Sequence, residues 1–252
     1  MRRAIHRCVV MGFVTAVLLG GCTLAPDTPD GDPAEPRLIY LEQGWDEAER
    51  REFYHLTQGS QLLPYAWFLA LEQPDSEALF RDDAHLASLG YLPAPADPEY
   101  NPDGLPVGFS RDRDPVMPAV ARQSRMALLD SQQAGDYPDT DTWLGFTCAA
   151  CHTADFQVGE TRLRIDGGMA LIDHETFMQR LADALRATAE DDTRFARFAI
   201  QVLGDDSDAG AEAMNRLRRQ VRAYTRYLDH LVERDRGAHS YGIGRLDAFG
   251  AI

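Results

Sequence analysis

The sequence contains no lysine. Its 25 basic residues are all arginines, and 40 aspartates and glutamates outnumber them, so the formal net charge is −15. Contacts to phosphate groups require a basic surface, so this balance argues against a nucleic-acid partner and against adsorption to anionic lipid. Two interpretations of the acidity stay open: it keeps an exported protein soluble, or it attracts a basic redox partner over a long range.

Long apolar runs are also missing. The longest, residues 8–19, has about a dozen residues, which is short for a bilayer-spanning helix. A positively charged segment precedes it, and the run ends in the sequence Leu-Gly-Gly-Cys22. This pattern resembles a bacterial lipobox and predicts a lipoprotein signal peptide at residues 1–21. We therefore expect a lipid on Cys22 and a periplasm-facing location, anchored to a membrane of the cell envelope. The alternative is an ordinary signal peptide with a chance cysteine.

Cysteine is scarce, with four in the chain. Cys8 leaves with the signal peptide and Cys22 takes up lipid, so Cys148 and Cys151 remain for the folded part. Residues 22–36 are rich in proline, glycine and aspartate and predict a flexible tether. We then expect an N-terminal helical and loop extension over residues 37–130 and a haem domain over residues 131–252.

Helical periodicity dominates the rest of the chain. Helices are predicted over residues 45–56 and 64–71, from Ser76 to about residue 90, and over residues 120–129. Further helices are predicted around residues 177–185, 195–203 and 211–233. The prolines and glycines of residues 91–118 predict no regular element there, and residues 156–165 predict a short hairpin with Gly159-Glu160 at its turn. The expected fold class is mainly α, with a cytochrome c-like haem domain and long irregular loops.

The strongest motif is the segment Cys148-Ala-Ala-Cys151-His152. Two thiols separated by two residues on a helical turn can each add to one vinyl group of a haem, and a histidine directly after them can ligate the iron. The motif predicts one covalent haem c held by Cys148 and Cys151, with His152 as the metal ligand. An export signal is compatible with this, since it places the cysteines in an oxidising compartment.

The cysteine pair has three other interpretations. The pair could be half of a zinc site, but a structural zinc site needs four protein ligands, and the chain has no second cysteine pair. A thioredoxin-like dithiol would need a βαβ pattern around it, which is absent. A plain disulfide would give no reason for the histidine that directly follows the second cysteine.

The ligand on the other side of the iron decides between an electron carrier and an enzyme. The candidates are Met117, Met126, Met169, Met178, Met214, His55, His85, His174, His230 and His239. Met178 and Met214 fall on apolar helix stripes and are expected to fill the core, whereas Met169 follows two glycines in a loop. His174 is expected at the surface. Arg164, with Arg162 and Arg245, is a candidate partner for haem propionates. Trp143 and Phe146 are candidates either for the porphyrin edge or for the core.

Several segments resemble a known family of exported di-haem c-type cytochromes. They are Gln58–Phe68 (QGSQLLPYAWF), Leu105–Phe109 (LPVGF), Gly145–Thr153 (GFTCAACHT), Arg164–Gly168 (RIDGG) and Tyr241–Gly250 (YGIGRLDAFG). These cytochromes are related to bacterial cytochrome c peroxidases and, more closely, to the rubber-oxygenase group. The resemblance implies a mostly helical protein in which Cys148, Cys151 and His152 match the N-terminal haem. The second CxxCH of the family is absent, so the chain looks like the N-terminal portion of a di-haem protein.

The function expected from the sequence is electron transfer in the cell envelope by one covalent haem, with a redox partner protein or a small electron donor. The alternative is a haem peroxidase or dioxygenase that reduces peroxide or cleaves a polyisoprene-like substrate. A truncated, inactive fragment of such an enzyme is the third possibility.

Overall fold

The computed structural model describes residues 36–113, 138, 140–204 and 210–244, which belong to one compact unit. The helices of this part are α1 (Glu47–His55), α2 (Tyr65–Ala70), α3 (Asp83–Ser88), α4 (Cys148–Cys151), α5 (His174–Glu190), α6 (Asp192–Leu203) and α7 (Ala211–Arg234). The strands are β1 (Arg37–Tyr40), β2 (Leu63–Pro64), β3 (Phe109–Arg113), β4 (Thr142–Phe146), β5 (Thr153–Val158) and β6 (Thr161–Asp166).

Aspartates begin most of the helices. Asp46 accepts hydrogen bonds from the first turn of α1, and Glu49 bonds back to the Asp46 N–H, which completes a capping box. Asp82, Asp173 and Asp191 cap α3, α5 and α6 in the same way, each accepting backbone N–H bonds that the helix itself cannot satisfy. Some of the many aspartates of the chain therefore determine where its helices begin.

One three-stranded sheet lies inside the protein. Strands β2, β4 and β3 pair antiparallel in that order, with Phe109 opposite Phe146 and Leu63 opposite Leu144. We call it the core sheet, because Leu63, Leu144 and Phe109 are at most 1% exposed. Helix α2 packs on β4, and the aromatic residues Phe68, Tyr91, Phe109, Phe146 and Phe177 form a chain of ring contacts around it. Helices α5, α6 and α7 complete this core.

The second three-stranded sheet lies at the surface, and we call it the surface sheet. Its order is β1–β6–β5, with β1 parallel to β6 and β5 antiparallel to β6. Strands β5 and β6 form a hairpin whose turn is Gly159-Glu160, and Gly159 has a φ of +62°. Only glycine adopts this conformation without strain.

The fold-class prediction of a mainly α, cytochrome c-like domain is wrong. The described residues are 44% helix and 18% strand, with two small sheets and seven helices, which is a mixture of α and β structure. Strands β3 and β4 account for much of the difference. Each is five residues long and forms by pairing with the other across some 30 residues of sequence, so neither has a periodicity that a local window detects.

Other element predictions had mixed outcomes. The helices near residues 45–56 and 64–71 and the three C-terminal helices are present, and so is the hairpin with its Gly159-Glu160 turn. The predicted start at Ser76 is wrong, because Asp82 caps the short α3 instead. The prediction of no regular element in residues 91–118 is wrong for β3. The signal peptide, Cys22, nearly all of the tether, the helix at residues 120–129 and the 130/131 domain boundary lie outside the described residues.

Residues on both sides of that predicted boundary share one core. Leu71 and Phe80 belong to the same buried cluster as Phe177 and Tyr224. Among the described residues, no helix is both long enough and apolar enough to cross a membrane.

Candidate functional site

The cysteine motif lies between the two sheets. Strand β4 of the core sheet ends at Phe146, Thr147 caps α4, and strand β5 of the surface sheet begins at Thr153, directly after His152. The Thr147 hydroxyl accepts a hydrogen bond from the Ala149 N–H and lies 3.1 Å from the carbonyl oxygen of Phe53. The motif is therefore fixed to α1 and to both sheets.

The four residues of α4 divide into an inner and an outer pair. Ala149 and Ala150 are 1% and 4% exposed, and Ala149 packs against Tyr54 and Val107. Cys148 and Cys151, three positions apart, lie on the opposite side of the turn, where Cys148 is exposed and Cys151 is half-buried. The small alanines thus hold the turn against the protein, with Cys148 exposed and Cys151 packed against the edge of the hydrophobic core.

Gly108 allows α4 to approach the loop before β3. A Cβ atom at Gly108 would lie 2.0 Å from the Ala150 nitrogen, and its φ is +86°. Any side chain here would push α4 outward and would also strain the backbone. Sequence reasoning did not identify this glycine as part of the site, although it lies in the LPVGF segment.

His152 ends α4 and is exposed. Its N–H donates to the Cys148 carbonyl (2.9 Å), and its own carbonyl accepts from the Gly167 N–H (2.7 Å). The Ala170 N–H donates to the Cys151 carbonyl (2.9 Å). The backbone of the motif is therefore tied to residues 167–170, and its imidazole is left accessible.

The residues after β6 place apolar side chains near the motif. Met169 and Leu171 are 63% and 52% exposed, and the chain segment of Ile243, 63% exposed, lies beside them. Gly244 connects the two segments: its N–H donates to the Ile172 carbonyl, and a Cβ there would lie 3.7 Å from the Met169 and Leu171 side chains. We call Met169, Leu171 and Ile243 the apolar rim. Exposed apolar side chains grouped in this way mark a surface that binds something apolar.

The two thiols are free, and their environment does not favour a redox-active dithiol. Burial raises the pKa of the Cys151 thiol, and the neighbouring Cys148 adds to the rise. Catalytic dithiols need a lowered thiol pKa, because the thiolate is the nucleophile. Within the described ranges, no three histidine, cysteine, aspartate or glutamate side chains converge as a metal site. The described residues thus lack the four-ligand set of a structural zinc site.

These residues fit a covalent haem. Such a group needs two accessible thiols on one turn, an accessible imidazole next to them, and apolar side chains against its macrocycle. The motif and the apolar rim supply the imidazole and the apolar side chains, and of the two thiols Cys148 is exposed and Cys151 is half-buried.

The arginines predicted to bind the haem propionates either pair with a carboxylate of the protein or lie outside the described residues. Arg164 is 2% exposed on β6, and its Nε and Nη2 donate to the two carboxylate oxygens of Asp155 at 2.7 and 2.9 Å. Arg162 forms an ion pair with the same carboxylate at 3.3 Å. Both guanidinium groups therefore already have an anionic partner within the surface sheet. Arg245 lies outside the described residues, and the role of all three stays a prediction.

The sixth-ligand candidates are widely scattered. Met178 and Met214 are half-buried against the core, as expected of core fillers. His55 is buried with its Nδ1 3.0 Å from the Phe109 carbonyl oxygen. His230 and His239 are exposed, His85 packs on Phe80, and Met117 and Met126 lie outside the described residues. Met169 is the candidate whose backbone adjoins the motif.

His174 is less exposed than expected. Its ring lies between Phe146 and Phe177, and its Nδ1 is 3.3 Å from the Tyr91 hydroxyl. Burial lowers the pKa of His174 to about 4. It lines a cavity of about 310 Å³ together with Met178, Tyr227, Leu231 and Tyr241. Phe146 and Trp143 both pack in the core, Phe146 at its edge.

Comparison with known proteins adds little to this geometry. No family model matches the chain, and no solved structure matches it. An uncharacterized protein of Sinorhizobium fredii, y4iJ, is 32% identical over 261 aligned residues, which cover 97% of this chain and 40% of that protein. The chain thus spans less than half the length of this relative.

Proposed function

We propose that this protein is an electron-transfer protein of the cell envelope that carries one covalent haem c. The observation that carries the proposal is the orientation of the motif. Cys148, which is exposed, and Cys151, which is half-buried, lie three positions apart on a turn that two buried alanines hold in place, and His152 follows them in an exposed position.

Each residue of the site has a role in this proposal. Cys148 and Cys151 form the two thioether bonds, and His152 ligates the iron. Thr147 and Gly108 keep the turn in place, and the N–H groups of Gly167 and Ala170 fix the backbone of His152 and Cys151. The apolar rim shields the group from water, which is one of the factors that set a haem potential. When bound, the haem supplies a centre that gains and loses one electron.

Electron transfer, rather than oxygen or peroxide chemistry, would follow if Met169 supplied a second ligand to the iron. Its neighbour Ala170 donates a backbone hydrogen bond to the Cys151 carbonyl, and the Met169 side chain is 63% exposed, so it is not held in the core. A second protein ligand would leave the iron no open position for oxygen or peroxide. Met169 is the candidate that we would test first.

Covalent attachment is tested on protein purified from a host with c-type cytochrome maturation. After denaturation, haem should stay with the polypeptide in the wild type and be lost in the double variant Cys148→Ser/Cys151→Ser. Cys8→Ser is the matched control, because Cys8 belongs to the predicted signal peptide, and it should stain like the wild type. Haem that leaves the wild-type band on denaturation would contradict the proposal.

The ligand assignment is tested by the ferric absorption spectrum. The wild type should be low-spin and unchanged by added cyanide or imidazole. Met169→Ala should become high-spin and bind both, whereas Met178→Ala should behave like the wild type. A high-spin wild type that binds cyanide promptly would instead favour the peroxidase or dioxygenase function.

The membrane location is part of the same proposal and rests on the sequence around Cys22. A fatty-acid analogue should label the wild type in a bacterial host, and Cys22→Ala should abolish the label and release the protein to the soluble fraction. An unlabelled mature protein that begins at another residue would show that the signal is an ordinary one.

A further inference from the structure

One face of the surface sheet is apolar and exposed. The paired rows of this face are Ile39–Leu163–Phe156 and, beside it, Leu41–Ile165–Ala154 and Arg37–Thr161–Val158. Ile39 is 38% exposed, Leu41 41%, Phe156 45% and Val158 67%. We call Ile39, Leu41, Phe156, Val158 and Leu163 the apolar face. Exposed apolar side chains in contiguous rows mark an interaction surface, unlike single exposed residues.

The opposite face of the same sheet is ionic and faces the protein. Asp166 has a fully buried carboxylate that accepts a hydrogen bond from the Tyr54 hydroxyl at 2.5 Å and from Arg50 Nε at 3.1 Å. Arg164 bonds Asp155 on the same side. We call this side the ionic face. A sheet with one solvated side normally turns its apolar residues inward, so the surface sheet has the reverse arrangement.

The contacts of the ionic face fix the orientation of the surface sheet. A shift of one residue in the register would move every side chain to the other side of the sheet. It would also break the contacts of Asp166 with α1 and leave that buried charge without a partner, which is strongly unfavourable. The fold therefore holds the apolar face outward.

The apolar face adjoins the haem motif. Strand β5 begins directly after His152, and the bond from the Gly167 N–H to the His152 carbonyl extends the β5–β6 pairing by one residue. His152 is exposed and lies two residues before Ala154, the first residue on this side of β5. A molecule bound on the apolar face would lie beside the proposed redox centre.

The size of the apolar face restricts what binds there. Three strands of up to six residues span about 14 by 20 Å, or roughly 300 Å². A stable homodimer needs about 800 Å² from each subunit, whereas transient redox complexes use the smallest interfaces. The area therefore favours a transient redox partner over a second copy of this chain.

The charge of the molecule restricts the partner further. The net charge of −15 attracts a basic protein and repels an acidic one. Glu42 follows β1 and Glu160 lies in the hairpin turn, so two exposed carboxylates flank the apolar face, and the exposed Arg37 at the end of β1 is the basic residue in its outer row. Apolar contact at the centre with charges at the rim is the usual anatomy of a transient interface.

We infer that the apolar face is the docking surface for a small, basic electron-transfer protein, which passes one electron to the ferric haem protein and is itself oxidised. This inference rests on the proposed function, because it needs the haem beside His152. Phe156 is the central contact, since it is the largest side chain in the middle row.

Binding of a small basic single-haem cytochrome to the haem-loaded full chain tests this inference. Titration calorimetry of the two ferric proteins should show binding at low salt, with a dissociation constant that rises with ionic strength. Phe156→Ser should weaken binding about tenfold, as expected when a central aromatic contact is lost. Val158→Ser should also weaken binding. It serves as a second variant in case Phe156→Ser fails to fold.

The matched control is Ile200→Ser, since Ile200 is 59% exposed on α6, outside the surface sheet. It should bind like the wild type, and reduction by dithionite should be equally fast in all variants. Equal binding by Phe156→Ser, Val158→Ser and Ile200→Ser would overturn the inference while leaving the proposed function intact. A stable dimer of the wild type that Phe156→Ser dissociates would assign the face to a second copy instead. A chain without covalent haem would contradict both.

Discussion

The core sheet and the surface sheet have the same number of strands but opposite surroundings. The core sheet is covered by α2 and by aromatic side chains, and Leu63, Leu144 and Phe109 lose nearly all contact with solvent. The surface sheet buries charged residues against α1 and exposes Ile39, Phe156 and Val158. Similar strands therefore serve two purposes in one chain.

The two sheets therefore differ in what they contribute to the protein. Burial of apolar area is the main favourable contribution to folding, so the core sheet stabilises the protein. The surface sheet is fixed by an ion-pair network and presents apolar area that the described residues leave uncovered. The cysteine motif connects the two, so it is attached to the core sheet on one side and to the surface sheet on the other.

The largest effect is expected for Phe109→Ala in the core sheet. Phe109 contacts the rings of Phe68, Tyr91 and Phe146, and removing a buried phenylalanine costs about 3–5 kcal/mol in the free energy of unfolding. Phe156→Ala in the surface sheet should change it by less than about 1 kcal/mol. Urea unfolding of both variants measures this contrast. Equal losses would mean that the surface sheet is not exposed in solution.

The next effect is expected for Asp166→Asn on the ionic face. The substitution keeps the shape of the side chain but removes the charge that pairs with Arg50, and hydrogen bonds to charged groups contribute about 1.5–3 kcal/mol. Asp192→Asn is the control, because Asp192 pairs with Arg218 while 88% exposed, and an exposed pair contributes at most about 1 kcal/mol. Similar unfolding free energies for the two variants would show that the ionic face is not buried.

A pH effect is expected at the edge of the core sheet. Burial lowers the pKa of His174 to about 4, so the unfolded chain takes up a proton at a higher pH than the folded one. Stability contributed by His174 is therefore present above its unfolded pKa of about 6.5 and is lost as the pH falls toward 4, by about 3 kcal/mol.

The variant His174→Gln isolates this contribution, because His55 and His85 also have pKa values lowered by burial. Its unfolding free energy should fall less steeply between pH 6.5 and 4 than that of the wild type. Parallel curves for the two proteins would place the His174 ring in water.

The smallest effect is expected at the junction of the two sheets. Thr147→Ala removes the cap of α4 and the hydroxyl contact to the Phe53 carbonyl, which should cost about 1 kcal/mol. It should also lower the fraction of protein that acquires haem, whereas Thr147→Ser should restore it. The ratio of haem absorbance to protein absorbance measures this fraction, and an unchanged ratio in Thr147→Ala would show that the cap does not orient the motif.

The sequence alone predicted the parts of this molecule that depend on local patterns. The helix beginning near Asp46, the hairpin at Gly159 and the helical turn of the cysteine motif all have local signals. Strands β3 and β4 and the exposure of Phe156 do not, because they depend on which segments pair across the chain. The half-buried position of His174 also comes from packing, since its sequence context at a helix start indicates the surface.

The sequence predicted which residues form most of the candidate site, but it did not predict how they are arranged in space. The spacing of Cys148, Cys151 and His152 is a strong local signal. The role of Gly108 in admitting α4, and the pairing of Arg164 with Asp155, appear only once β3, β5 and β6 are in place. An arginine three residues before a glycine pair is in itself equally compatible with a haem propionate and with an internal carboxylate.

The proposed electron transfer depends on one covalent haem held through Cys148 and Cys151. The most direct measurement is the intact mass of the denatured mature protein, produced with c-type cytochrome maturation and extracted with acid and organic solvent. We predict a mass that exceeds that of the processed polypeptide and its lipid by one haem, and a Cys148→Ser/Cys151→Ser variant without this addition. A wild-type mass that equals the processed polypeptide with its lipid and no haem would contradict the account.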